Sequence, residues 1–119
     1  MEVYHWSPKE NRQSILKNGL QVFAKTQLYT YSYKGKEIKD EWSAPYICTA
    51  MNPWKALCYV SATFEYEDLM SELDLWQIEL NKKDKVKFRN DESIEIIEIR
   101  VFNSILANRL NYIATRKFD

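Results

Sequence analysis

The segment Ser93–Phe102 (SIEIIEIRVF) constrains the fold more than any other part of this chain. Isoleucine and valine favour β-strands, and here they recur at the two-residue spacing of an extended backbone. The pattern changes phase between Ile96 and Ile97, which predicts a β-bulge or a sharp bend at that point. The segment therefore predicts the strongest strand of the chain, with an irregularity in its middle.

Four further segments have the composition and spacing of short strands: residues 2–6, 45–49, 74–80 and 111–115. In the third of these, Trp76, Ile78 and Leu80 alternate with Leu75, Gln77 and Glu79, which predicts a half-buried strand. Residues 103–109 are expected to form a turn or a short helix.

The clearest local signal is a helix start. Ser7, Pro8 and Glu10 supply a capping serine, a proline at the first helical position and a glutamate at the third, which together form a capping box. The helix is expected to run to about Asn18 and to end at Gly19, because glycine adopts the positive φ that closes helices.

Asn52 and Pro53 again combine a capping residue with a proline at the first helical position. Apolar residues at helical spacing after them predict a second helix of about three turns. Residues 25–43, rich in tyrosine and lacking a steady period, are expected to form a flap or an irregular hairpin. Several short strands with two helices in the N-terminal half predict one α+β domain over residues 1–119, built on a small mixed or antiparallel sheet.

Composition excludes several classes of function. Seventeen basic residues balance seventeen acidic ones, so no net field favours nucleic acid or an anionic membrane. One histidine and two cysteines ten residues apart, Cys48 and Cys58, match no common zinc-ligand spacing, so no metal is expected. No export signal precedes the folded part and no apolar run reaches the ~20 residues that span a bilayer. The sequence predicts a cytoplasmic protein with no membrane partner.

Few residues are candidates for chemistry. His5 is the single histidine, and Glu95 and Glu98 lie in an otherwise apolar strand. Each has an ordinary structural interpretation: a strand histidine is commonly a hydrogen-bonding residue, and a strand glutamate commonly faces water. A carboxylate held in a cleft would instead have a perturbed pKa.

The order of these elements resembles the ADP-ribosyltransferase superfamily. In that superfamily a histidine on the first core strand precedes a helix ending near a Gly-Leu pair, a tyrosine-bearing strand, a helix with an Ala…Tyr pair and a late strand with a glutamate. The matching positions here are His5, Gly19 with Leu20, Tyr46, Ala56 with Tyr59, and Glu98. The resemblance implies a split β-sheet and NAD as substrate.

The resemblance also implies roles for residues. Glu98 would stabilise the oxocarbenium ion that forms when NAD loses nicotinamide, and His5 would hydrogen-bond the ribose hydroxyls. Tyr46 or Tyr59 would stack on the nicotinamide ring. Further candidates for NAD contacts are Ser7, Arg12 and Arg100; Arg100 could hold a phosphate or pair with Glu98. Glu95 is the alternative to Glu98.

Two functions remain open on this reading. The first is an NAD-dependent ADP-ribosyltransferase, of the minimal single-domain type found in phages, that modifies a protein or nucleic-acid target, with a protein favoured as the acceptor. The second is a catalytically inactive module of the same fold that binds or inhibits a partner through the aromatic loop at residues 25–43. Trp6 follows His5 where many members have glycine, which suits the second function.

Overall fold

The computed structural model describes residues 1–22, 30–33, 36–39, 46–57, 72–91 and 96–117. The fold is a mixed α+β arrangement with two antiparallel three-stranded sheets and few helices. The predicted positions Tyr59, Cys58 and Glu95, and most of the aromatic loop, lie outside the described residues. None of the described residues belongs to a helix that is long and apolar enough to cross a bilayer.

Within these described ranges, eight strands and two helices follow one another. The strands are β1 Glu2–Pro8, β2 Thr30–Tyr33, β3 Lys36–Lys39, β4 Ile47–Thr49, β5 Glu72–Glu79, β6 Val86–Asp91, β7 Ile96–Val101 and β8 Leu110–Lys117. Helix α1 is Arg12–Asn18, and the described part of α2 is residues 53–57. Short 3₁₀ turns occupy Lys9–Asn11 and Ala107–Arg109, the second of which confirms the short helix expected there.

The first sheet has the order β1-β5-β8 and the second the order β4-β7-β6, while β2 and β3 form a separate hairpin. The hairpin lies within the segment predicted to be a flap or irregular hairpin. The two sheets meet where Tyr4 of β1 pairs with Ala50, directly after β4, through two backbone hydrogen bonds of 2.8 and 3.2 Å. This single bridge is the seam between the sheets within the described residues.

Strand β5 separates two hydrophobic clusters. Trp76 and Ile78 point into the larger cluster, where they meet α1 and the inner face of the second sheet. Leu73 and Leu75 point into the smaller one, beneath α2. The half-buried strand predicted from alternation is therefore wrong for the first part of β5, because helices cover both faces there.

The start of α1 differs from the prediction. Strand β1 continues through Pro8 and α1 begins at Arg12, so the capping box does not form. Tertiary structure overrides the local signal here: the buried Ser7 hydroxyl accepts a 2.9 Å hydrogen bond from Trp76 Nε1, a donor that would otherwise be buried without an acceptor. The predicted helix end is confirmed, since Gly19 has φ +76° and its N–H donates to the Ile15 carbonyl.

The predicted bulge at Ile96 and Ile97 is also wrong. Residues 96–101 of β7 pair with β6 in one continuous register, from Ile96 opposite Asp91 to Val101 opposite Val86. The phase slip has another cause: Ile97 is 50% exposed whereas Glu98 is 2% exposed, so this strand buries an acid and leaves an isoleucine at the surface.

The start of α2 follows the prediction. The Asn52 side-chain oxygen accepts hydrogen bonds from the backbone N–H groups of Trp54 and Lys55, at 2.8 and 3.3 Å. These are two of the donors that a helix N-terminus leaves without an intrahelical partner. The cap fixes where the chain turns away from the seam after Ala50.

Candidate functional site

His5 lies at the seam between the sheets. Its Nδ1 donates a 2.8 Å hydrogen bond to the backbone carbonyl of Cys48. Because a carbonyl only accepts, this bond assigns the proton of the neutral imidazole to Nδ1 and leaves Nε2 as an acceptor. Burial lowers the pKa of His5, although the bond to Cys48 opposes this, so the neutral form is favoured. His5 therefore presents a lone pair of fixed direction.

The seam explains how the imidazole reaches Cys48. The Ala50 carbonyl bonds to Tyr4, and the carbonyl two residues earlier, on Cys48, points toward β1 in the same way. The Cys48 carbonyl accepts its hydrogen bond from the His5 imidazole, where a continued β-ladder would supply a backbone N–H of β1. Strand alternation puts His5 on the face opposite the Cys48 side chain, and its ring bonds to the backbone carbonyl of that residue.

Glu98 lies on β7, the neighbour of β4 on the far side from β1. Its Oε1 accepts a 3.1 Å hydrogen bond from Arg100 Nε, and both side chains are almost fully buried. Its Oε2 lies 4.0 Å from Nη1 of Arg89 on β6. The carboxylate is therefore kept near two guanidinium groups, which offset the cost of its burial.

Cys48 connects His5 to Glu98. It is a free thiol, and its residue lies opposite Arg100 in the β4–β7 register, on the same face as Glu98. Burial raises the pKa of the Cys48 thiol, and the charge of Glu98 and a hydrogen bond to it raise the pKa further. The imidazole bonds to the backbone of this residue and the carboxylate contacts its side chain, so one cysteine spans the gap between the two candidate catalytic groups.

Tyr46 belongs to the same face. Its ring lies with its centroid 4.2 Å from the Arg100 guanidinium carbon, within the range of a cation–π contact. Phe102 packs beside it at 5.9 Å between ring centroids. The Tyr46 side chain is buried, at 4% exposure, so Arg100 covers the ring that the sequence predicted to face nicotinamide.

Two predicted NAD contacts lie elsewhere. Arg12 forms a two-pronged ion pair with the fully buried Asp74 at 2.8 and 2.7 Å, and also donates to Thr115 at 2.7 Å. This pairing ties α1 to β5 and β8. Ser7 accepts the bond from Trp76 described above. Both side chains have structural partners, and their assignment to NAD stays a prediction.

Trp6 also has a structural partner. Its side chain is 4% exposed in the smaller hydrophobic cluster, and its Nε1 donates a 2.7 Å hydrogen bond to the carbonyl of Pro53 at the start of α2. Strand alternation puts Trp6 and His5 on opposite sides of β1. Trp6 thus packs away from the imidazole.

Cys48 is the component that sequence reasoning missed. It lies two residues after Tyr46 within the strand that the sequence predicts at residues 45–49, and this spacing would have placed both on one face. The pairing of β4 with β1 on one side and β7 on the other, which gives Cys48 its central place, is not encoded in the local pattern.

Comparison with known proteins gives no further constraint: no family model, no curated protein and no solved structure matches this chain.

Proposed function

We propose that this protein is an NAD-dependent ADP-ribosyltransferase that modifies a protein acceptor. One observation carries the proposal: His5 donates to the Cys48 carbonyl, and Glu98 lies on the same face of β7 as Arg100, which is directly opposite Cys48. The resemblance requires a histidine and a glutamate to approach each other across neighbouring core strands. The order β1, β4, β7 across the seam is compatible with that requirement.

The residues present suit the chemistry. The bond between nicotinamide and C1′ of the ribose breaks, and its electron pair leaves with the nicotinamide nitrogen. Glu98 stabilises the positive charge that develops on the ribose, in the way that glycosidase carboxylates do. An acceptor nucleophile then bonds to C1′ and loses a proton to solvent.

His5 has a positioning role in this scheme. A neutral imidazole with its proton held on Nδ1 by Cys48 presents Nε2 as an acceptor, and a ribose hydroxyl is a donor. The hydrogen bond to Cys48 is made by Nδ1, and within the described part of the chain Nε2 has no hydrogen-bond partner. A fixed acceptor orients the sugar without taking part in proton transfer.

A catalytically inactive binding module is the second candidate, and Arg100 favours it. This guanidinium contacts both the Glu98 carboxylate and the Tyr46 ring, the two groups that NAD would be expected to touch. On this alternative the aromatic loop at residues 25–43 binds a partner protein. Tyr31→Ala and Trp42→Ala would then abolish capture of that partner without altering the melting temperature.

Nicotinamide release separates the two functions. The wild-type chain is incubated with NAD, and release is compared with that of Glu98→Gln, His5→Ala and the control Glu79→Gln, an exposed carboxylate on β5. The enzyme predicts that Glu98→Gln slows release by about a hundredfold or more, the usual effect of removing a group that stabilises the transition state. His5→Ala raises KM, and Glu79→Gln is unchanged.

A binding measurement accompanies the kinetics. NAD present at about a hundred times its Kd should raise the stability of the wild type by about 2.7 kcal/mol. Release at the background rate, together with an unchanged melting temperature in NAD, would eliminate the enzyme and leave the binding module.

A further inference from the structure

Arg100 is a buried arginine held between an acid and an aromatic ring. It is 1% exposed, its Nε donates to Glu98 Oε1 at 3.1 Å, and its guanidinium carbon lies 4.2 Å from the Tyr46 ring centroid. A residue that binds the phosphates of a dinucleotide must present its guanidinium to the ligand. The guanidinium of Arg100 is instead engaged by the Glu98 carboxylate and the Tyr46 ring, which points to a different role.

The arrangement is set by strand register. Glu98 and Arg100 are two residues apart on β7 and therefore share a face, and Arg100 lies directly opposite Cys48 on β4. Tyr46, two residues before Cys48, extends the same face. Backbone pairing fixes the positions of the acid and the guanidinium, and Tyr46 directly precedes β4.

We propose that Arg100 is a positioning residue that orients the Glu98 carboxylate toward the ribose, and that Tyr46 supports the Arg100 guanidinium instead of stacking on nicotinamide. The inference rests on the proposed transferase function. It selects the Glu98 pairing that the sequence had left open for Arg100, and it removes Tyr46 from the two stacking candidates that the resemblance implied.

The geometry gives the two carboxylate oxygens different tasks. Oε1 is held by Arg100, whereas Oε2 is 4.0 Å from Arg89 Nη1, which is longer than a hydrogen bond. The Cys48 thiol also hydrogen-bonds to this carboxylate, and we assign to the ribose Oε2, the oxygen that Arg100 does not hold. With Oε1 anchored, the carboxylate cannot rotate away from the developing charge, and a misplacement of about 1 Å at such a group can cost about a hundredfold in rate.

The test measures nicotinamide release by the full chain over a range of NAD concentrations. Arg100→Lys keeps the positive charge beside Glu98 but loses the planar fork, and kcat should fall between about tenfold and a hundredfold while KM stays within about twofold. Arg109→Lys is the matched control, since Arg109 pairs with Asp84 away from the seam. Both of its constants should equal those of the wild type.

A second pair of variants leaves the charge in place, so it serves even if Arg100→Lys does not fold. Tyr46→Leu removes the ring beneath the guanidinium and should lower kcat. Tyr46→Phe keeps an aromatic face and should recover most of that loss. Circular dichroism and melting temperature establish that each variant is folded.

Three outcomes would overturn the inference. If Arg100→Lys raises KM about tenfold with kcat unchanged, Arg100 binds phosphate. If Tyr46→Leu raises only KM, the ring stacks on nicotinamide. In both cases the transferase function itself stands. If the wild type releases no nicotinamide, the proposed function fails first and the positioning role fails with it.

Discussion

Replacing Gly19 by alanine tests the close approach of the α1 end to the segment before β8. Gly19 has φ +76° and ψ −169°, a backbone region that is essentially restricted to glycine. A Cβ built there would lie 2.0 Å from the Ile105 carbonyl oxygen and 2.8 Å from the Ala107 nitrogen, and both are backbone atoms. Alanine cannot be accommodated without moving one segment of the chain.

The expected cost comes from two contributions. The disfavoured backbone conformation costs about 1–3 kcal/mol for a residue with a side chain. Relief of the clash separates Leu20 from Ile105, which are joined by backbone hydrogen bonds of 2.9 and 2.8 Å, each contributing about 1 kcal/mol. The free energy of unfolding should fall by about 3–5 kcal/mol, a large share of the ~5–15 kcal/mol of a typical domain.

Urea unfolding followed by tryptophan fluorescence measures this loss, because Trp6 and Trp76 are buried. Asn18→Ala is the control: Asn18 is the exposed last residue of α1, and its replacement should change the free energy by less than about 0.5 kcal/mol. A loss below about 1 kcal/mol for Gly19→Ala would refute the argument, since it would mean that the two segments separate at little cost.

Two further predictions concern charges. Hydrogen bonds from Arg109 hold the pKa of Asp84 well below its usual range, so this acid stabilises the fold above the unfolded pKa of about 3.9, and the stabilisation is lost as pH falls toward the folded pKa. Asp84→Asn should lower the free energy of unfolding at pH 7 by about 3 kcal/mol and flatten its decline below pH 4 in urea titrations; an undiminished acid decline would contradict this. In a Cys58→Ser background, Glu98→Gln should lower the pKa of the Cys48 thiol, read from the pH dependence of alkylation, because Glu98 helps to raise it. An unchanged profile would remove Glu98 from the neighbourhood of the thiol.

The features that sequence predicted correctly depend on local interactions. The Asn52 cap and the Gly19 helix end involve contacts within a few residues, which the chain encodes directly. The Ser7 cap failed because Trp76, sixty-nine positions along, competes for the same hydroxyl. A capping-box pattern describes only neighbouring residues, so it cannot show whether a donor far along the chain will hydrogen-bond to the same serine hydroxyl.

The candidate site likewise combines residues that the local sequence indicates with contacts that only the strand topology determines. His5 and Glu98 could be selected from the sequence by residue type and position on strands. Their connection through Cys48 depends on the pairing of β4 with both β1 and β7, which is a property of topology. The burial of Arg100 against Tyr46 follows from that register too, and the sequence left both its phosphate and its ion-pair roles open.

Strand β5 lines both hydrophobic clusters, Leu73 and Leu75 on one side and Trp76 and Ile78 on the other. A cavity opened under α2 would therefore loosen the strand that holds β1, and with it the backbone that carries His5. We expect substitutions in the smaller cluster to be thermodynamically coupled to the imidazole through this strand. The effect of a mutation in this protein should be interpreted by its contact with β5 and the two clusters, and not only by its distance from His5.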